Sequence, residues 1–318
     1  MLQKIRDFPE QIQSAWSLFG EVDLQLPPPD AIDQVLVIGM GGSAIAGDLV
    51  AALFNKSGNH SIQVHRDYGL PAWVNNRTLV VASSFSGNTE ETLSGWARAR
   101  ELDLPRFAIT TGGALAEQTE ATRLVQFDYQ SQPRAALGYS FTLLLALLAR
   151  IGQIPKLTDV LPAAVKELSL TDSEPAVSTE AMVKHVTGGI PVILAAEHLS
   201  PVARRWSTQI NENGKSWAFW NDYPELDHNL IVGLKFPQSI VASKGLRVVQ
   251  LFSDHYQPQT KRRIEITTEL MTEAGISVFD FNLERKSSRL SEMLQIIAKG
   301  DYLSYYLAEK YNVDPTPV

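Results

Sequence analysis

Residues Thr78–Thr92 read TLVVASSFSGNTEET, and the order of residue types in that stretch points to one architecture. Thr78 to Ala82 is an apolar, β-branched run, the pattern of a buried strand. Small hydroxyl residues and one glycine follow. Thr89-Glu90-Glu91-Thr92 then offers an N-cap and early acidic residues, as a helix start wants. A strand, a tight loop and a helix in immediate succession are the unit of a parallel α/β sheet. The loop presents three hydroxyls, Ser84, Ser86 and Thr89, and several backbone N–H groups at a helix N-terminus. That suits an anion, most naturally a phosphate. A Ser/Gly turn that only caps a helix would look the same, and the loop alone leaves the two readings about even.

The same grammar recurs on either side of this stretch. Gln34 to Ile38 reads as a buried strand, followed by Gly39-Met40-Gly41-Gly42-Ser43 and an Ala-rich helix to about Phe54. Ile62–His65, Leu79–Ala82, Arg106–Thr110 and Leu124–Phe127 read as further strands, and Gly138–Ile151 as a buried helix ended by Gly152 and Pro155. Before them, Leu2–Phe19 has the spacing of one amphipathic helix, apolar at Ile5, Ile12, Trp16 and Phe19, and Pro27-Pro28-Pro29 breaks the chain. From Lys156 to about Glu180 the pattern turns polar and includes Leu161-Pro162 and Ser173-Glu174-Pro175; it reads as a crossing with a short helix. The pattern then restarts: a strand Ile190–Ala195, a turn Glu197–Pro201 and a helix Val202–Asn211. Strands are expected at Leu230–Leu234, Arg247–Phe252 and Ser277–Phe281, with helices at Arg262–Ala274 and Ser288–Lys310. The expected organisation is a first α/β domain over 1–155, a linker over 156–180 and a second α/β domain with a C-terminal helix over 181–318. The second half has no counterpart of the hydroxyl loop, so the halves divide the work.

Composition narrows the partners. The 318 residues are 44% hydrophobic and 20% charged, an ordinary globular balance, and the formal charge of −7 disfavours nucleic acid and anionic membranes. An anionic substrate must therefore be held by a local cluster of donors. The chain has no cysteine, which excludes disulfides and thiolate ligands and fits a reducing cytoplasm. The first residues hold no apolar signal-peptide core, and the most apolar run, Phe141 to Ala149, is too short to span a bilayer.

Other groups bear on the chemistry. Gly39, Gly41 and Ala44 fit a G-x-G-x-x-A dinucleotide fingerprint with Asp67 after the second strand, a match weakened by the spacing to Asp67. On the other reading, Gly41 and Gly42 let backbone approach a sugar while Ser43 donates a hydrogen bond. Loops after neighbouring strands of an open sheet converge on one crevice, so this turn and the hydroxyl loop could face one ligand. Arg134, after Pro133 and before a helix, is positioned and permanently charged; a surface salt bridge is its plain alternative. Glu212, within Asn211-Glu212-Asn213-Gly214, ends a helix where a carboxylate is electrostatically poorly placed, a setting suited to a general base or to a plain C-cap turn. His228, in Asp227-His228-Asn229, could shuttle protons or be structural. No His spacing suits a metal.

In their order along the chain, Gly-Met-Gly-Gly-Ser (39–43), Ser-x-Ser-Gly-Asn-Thr-x-Glu-Thr (84–92), Pro-Arg (133–134), Asn-Glu-Asn (211–213), Asp-His-Asn (227–229) and Asp-Pro-Thr-Pro-Val (314–318) resemble the bifunctional phosphoglucose/phosphomannose isomerases, a branch of the sugar isomerase (SIS) superfamily. The resemblance implies two SIS-type domains in tandem, each a flavodoxin-like, mainly parallel sheet flanked by helices. It implies an aldose–ketose isomerase acting between glucose or mannose 6-phosphate and fructose 6-phosphate. Ser84, Ser86 and Thr89 would hold the 6-phosphate, and Gly41, Gly42 and Ser43 would line the sugar pocket. Arg134 would stabilise the enediolate and Glu212 would move the proton between C1 and C2. His228 would assist ring opening from the neighbouring subunit of a homodimer, and Thr316 would face the sugar C2 region. Such chemistry needs no metal or redox cofactor. A ring-opening lysine of the family falls beyond Val318, with Lys310 a poor substitute upstream. The alternative within the superfamily is a regulatory sugar-phosphate binder, which keeps the hydroxyl loop without turnover.

Overall fold

A computed structural model describes residues 1–56, 60–171, 177–241, 245–283 and 287–317, in two units: Arg6–Val165, and Lys166–Val318 together with Met1–Ile5. Ser173-Glu174-Pro175, read as part of the crossing, lies outside the described residues.

The opening segment is two helices, α1 (Leu2–Arg6) and α2 (Phe8–Glu21). The expected single helix breaks at Asp7 because Pro9 follows. Proline lacks an N–H and is tolerated only in the first turn, where that N–H has no helical partner. Ile12, Ala15 and Phe19 form the buried stripe of α2.

In the Arg6–Val165 unit the elements are β1 (Gln34–Ile38), α3 (Gly41–Phe54), β2 (Ser61–His65), β3 (Thr78–Ser83) and α4 (Glu90–Glu101). They continue with β4 (Arg106–Thr110), α5 (Gly113–Glu117), β5 (Leu124–Gln126) and α6 (Leu137–Ile151). All five strands are parallel, in the order β2-β1-β3-β4-β5, the flavodoxin-like order. Side chains alternate across the sheet. Leu36, Ile38, Val80, Ala82 and Ala108 pack with Trp96 and Ala99 of α4 and Leu115 of α5. On the other face α3 comes so close that a Cβ on Gly47 would lie 2.8 Å from a Val64 methyl and 3.1 Å from Val37. Sheet order reverses between β1 and β3, which sets a crevice outside their carboxyl ends. The glycine turn and the hydroxyl loop both start there.

The unit boundary falls within α7 (Val160–Thr171), and α8 (Val177–Val186) follows, so two helices stand where one short helix was expected. The second unit continues with β6 (Ile190–Ala196), α9 (Ser200–Glu212), β7 (Phe219–Tyr223) and α10 (Gln238–Val241). It ends with β8 (Leu246–Leu251), α11 (Pro258–Glu273), β9 (Ser277–Phe281) and α12 (Arg289–Tyr311). Its sheet is again parallel, in the order β7-β6-β8-β9.

One expected strand is corrected. Leu230–Gly233 is a 3-10 turn whose first N–H, on Leu230, donates to the Asn229 side chain, and Val232 is 83% exposed. The apolar run there is surface. The strand that takes its place is β7, with the sequence FWNDY, whose central Asn and Asp hide the apolar pattern. It can be polar because it is the sheet edge, paired only with β6. Among the described residues no helix is long and apolar enough to cross a membrane.

Candidate active site

The hydroxyl loop is shaped by its own side chains. Ser84 is buried, and its Oγ accepts from the Gly87 N–H at 3.1 Å and pairs with Thr89 Oγ1 at 2.9 Å. Ser86 is exposed, and its Oγ accepts from the Asn88 N–H at 3.2 Å. Thr89 does occupy the N-cap of α4, but its side chain makes no cap hydrogen bond. Its hydroxyl is turned to Ser84 instead. The first-turn N–H groups of α4 keep the partial positive charge of a helix start.

The loop is braced from the turn after β4. The Thr111 N–H donates to the Phe85 carbonyl at 3.1 Å, Thr111 Oγ1 donates to the same carbonyl at 2.6 Å, and the Ala114 N–H donates to Asn88 Oδ1 at 3.0 Å. Gly87, at φ +69°, lies so close that a Cβ there would sit 1.8 Å from the Gly112 carbonyl oxygen. Only glycine fits both the backbone and the space.

Two further loops reach this one. Ser43, buried in the first turn of α3, accepts from the Phe85 N–H through its Oγ at 3.3 Å, which ties the glycine turn to the hydroxyl loop. A Cβ on Gly42 would lie 3.0 Å from the Pro133 carbonyl oxygen and 3.2 Å from Arg134 Cα. Gly41, at φ +49°, is exposed beside it. Arg134 itself is buried, on a 3-10 turn (Pro133–Ala135). That turn is held from α2: Gln11, 2% exposed, donates through Nε2 to the Ala135 carbonyl at 2.9 Å and accepts from the Gly138 N–H at 3.1 Å. An aromatic ladder links the same parts, Phe85 to Phe127 at 6.0 Å, Phe127 to Tyr139 at 5.0 Å, and Tyr139 to Tyr129 at 5.0 Å. Burial pushes the Tyr129 phenol up to about 12. The structure thus brings Gly42, Ser43, Ser84, Thr89 and the Arg134 backbone together around one crevice. Asp67, the candidate ribose ligand of the dinucleotide reading, accepts from the neighbouring Tyr68 N–H within its own turn.

Glu212, in the other unit, is the last residue of α9, and that helix is fastened along its length to α12. The Trp206 indole donates to the Ile296 carbonyl at 2.9 Å and lies where a Cβ on Gly300 would be 2.2 Å away. Arg205 grips both carboxylate oxygens of Asp301 at 2.9 and 2.8 Å, joined by Gln209 at 2.8 Å. Next to Glu212, buried Asn213 donates to Ser304 Oγ at 2.9 Å. Thr316 is folded close by: Lys215 donates to the Glu212 carbonyl at 2.7 Å and also to the Pro317 carbonyl. Lys215 therefore ties the turn that carries Glu212 to the segment that follows Thr316. His228 is exposed on a 3-10 turn (Glu225–His228) beside Asp227, whose Oδ1 accepts from Thr267 Oγ1 at 2.8 Å. Among the described residues no cluster of three or more His, Asp or Glu could hold a metal ion.

Residues 31–150 match the SIS domain model, and residues 178–318 match the model for the bacterial phospho-glucose isomerase C-terminal SIS domain. The bifunctional phosphoglucose/phosphomannose isomerase of Caldicellulosiruptor bescii is 39% identical over 329 aligned residues, covering 100% of this chain and 96% of that protein. The chain belongs to the bifunctional phosphoglucose/phosphomannose isomerase family. A second member, from Thermoplasma volcanium, is 33% identical over 90% of this chain and 88% of its own length. Among solved structures, the C-terminal domain of glucosamine-fructose-6-phosphate aminotransferase from Francisella tularensis superposes with a TM-score of 0.75 over 100% of this chain and 97% of its own. At 13% identity it speaks for the fold alone. The expected architecture of two SIS domains with mainly parallel sheets stands.

Sequence reasoning missed residues that hold this family's motifs in place: Gln11, Thr111 and Lys215. Thr111 had a signal, since Thr110-Thr111-Gly112-Gly113 repeats the hydroxyl-and-glycine chemistry at the next strand end. Gln11 had none, because its partners lie 124 and 127 residues away.

Proposed function

We propose that this member of the family is an aldose–ketose isomerase that interconverts glucose 6-phosphate or mannose 6-phosphate with fructose 6-phosphate through an enediol. The substrate phosphate is met by the hydroxyls of Ser84, Ser86 and Thr89 and by the start of α4, where a dianion is favoured by N–H donors and the helix dipole. Gly41, Gly42 and Ser43 leave room for the sugar. His228 assists ring opening. Glu212 takes the proton from C2 of the open aldose as electrons move to the C1 carbonyl, then returns a proton to C1 as the C2 hydroxyl becomes a carbonyl. The Arg134 guanidinium stabilises the negative charge that develops on the enediolate oxygens. Because the planar intermediate loses its C2 configuration, one base serves both epimers, and Thr316 near Glu212 is placed to face that carbon.

The observation that carries the reading is the hydrogen bond from the Phe85 N–H to Ser43 Oγ. It joins the anion-binding loop to the glycine turn at the sheet's reversal point, so that a phosphate and its sugar have adjoining places. His228 acts across a homodimer. Its exposure supports this, as do Trp217 (72% exposed) and Phe219 (49%) on the segment leading to it, apolar surface of the kind that marks an interface. A reducing cytoplasm suits a chain with no cysteine. The test is a coupled steady-state assay with both aldose 6-phosphates. Turnover of both, with Arg134→Gln lowering kcat more than it raises KM, is the expected result. Binding without turnover would leave the regulatory sugar-phosphate binder as the better reading.

A further inference from the structure

Lys215 occupies a backbone conformation that lysine rarely adopts. Its φ is +50°, in the left-handed region where glycine is the unstrained residue. A lysine in that conformation points to a task for its side chain. Its ammonium donates to two carbonyls that the sequence separates widely: that of Glu212, at the C-terminal end of α9, and that of Pro317. Between the end of α12 and Pro317 the chain forms a short strap. Asn312 closes the helix in a left-handed conformation, and the Val313 N–H donates back to the Ala308 carbonyl at 3.0 Å. Asp314 then accepts from the Thr316 N–H at 2.8 Å, and this bond, with Lys215 nearby, holds the Asp314 carboxyl below its usual range. The strap is anchored to α12 at one end and to the Lys215 ammonium at the other.

We propose that Lys215 is a positioning residue: it clamps the 313–317 strap onto the turn that carries Glu212, so that base and strap present one fixed surface to the sugar. The inference rests on Glu212 being the base. A charge-assisted bond to two carbonyls is a strong tether, and a helix C-terminus welcomes the positive charge. Removing the ammonium breaks this tie between the strap and the Glu212 turn while leaving the phosphate cradle, which is built by other elements, as it was. The loss therefore falls on the chemical step and not on substrate capture.

The experiment compares the full chain with Lys215→Met and Lys215→Arg, using fructose 6-phosphate as substrate and amide hydrogen exchange as a second readout. For Lys215→Met, kcat should fall by about tenfold, the factor one charge-assisted hydrogen bond carries, with KM little changed. Exchange at the Thr316 amide should quicken, while the Val313 amide, protected by its helix bond, stays slow. Lys215→Arg should restore both. A fall in kcat with Thr316 exchange unchanged would overturn the proposal, because Lys215 would then act only as a helix cap. Faster exchange with kcat intact would overturn it too, since the strap would be tethered to no catalytic purpose. Glu212→Gln, assayed alongside, separates the two ideas: full turnover in that variant removes the base assignment, whereas slower turnover and a loosened strap in Lys215→Met would still identify the clamp.

Discussion

At Gly87 there is no room for any other residue. A methyl group would meet the Gly112 carbonyl oxygen at 1.8 Å and its carbon at 2.8 Å, both backbone atoms that no rotamer change can move. Gly87→Ala should destabilise the protein by about 2 kcal/mol or more, the scale of overpacking and left-handed strain combined. It should also raise KM for the sugar phosphates, read from a denaturant titration and steady-state kinetics of the same variant. Ser84→Ala is subtler. It removes the acceptor for the Gly87 N–H and the partner of Thr89, so KM for fructose 6-phosphate should rise by about tenfold while the thermal midpoint moves little. The hydroxyl loop was legible in the sequence because it is local: strand, hydroxyls and helix start lie within fifteen residues of one another. Gly112 opposite Gly87 was not, because the pairing depends on which strand lies beside β3.

The pairing of α9 with α12 shows what an element does for a site. Glu212 sits at the end of a helix held by Trp206, Arg205, Gln209 and Asn213, four residues that place their polar groups on α12. Arg205→Met would leave the Asp301 carboxylate buried without its cation. Breaking one partner of such a pair costs about 3–5 kcal/mol, and a matching shift of the denaturant midpoint is expected. α9 was legible from its apolar spacing, but its fastening was not, since a buried Arg and Asp far apart in sequence look like two surface charges until the helices meet. β7 failed for a related reason: an edge strand needs only half of the burial that makes a strand readable. The Leu230–Leu234 run failed in the opposite direction, apolar residues standing on the surface.

For the molecule as a whole, two units share the strand order that places a crevice at the ends of the first and third strands, and only the first carries the hydroxyl loop. In the second, His198, in the turn after β6, has its Nε2 2.8 Å from Glu292 Oε2, and Ser253, after β8, donates to the same oxygen. Burial holds His198 below the ordinary histidine value of 6.5 and outweighs the pull of Glu292 in the other direction, and His185 is lowered by burial as well. The unfolded chain therefore binds protons that the fold refuses as pH drops below 6.5, so stability should fall as the solution is acidified from there. A series of thermal midpoints should show the decline, and His198→Gln, which keeps a donor toward Glu292, should flatten part of it. A midpoint that stays level across that window in the parent protein would show that these histidines titrate alike in both states.

If the Glu212 carboxylate moves the substrate proton, deuterium incorporation at C1 of fructose 6-phosphate in D2O reads that step directly. Rapid incorporation is expected with the parent protein, and a loss of at least about a hundredfold in Glu212→Gln at saturating substrate, within the range that general acid–base groups contribute. Incorporation in Glu212→Gln at the parent rate would contradict it.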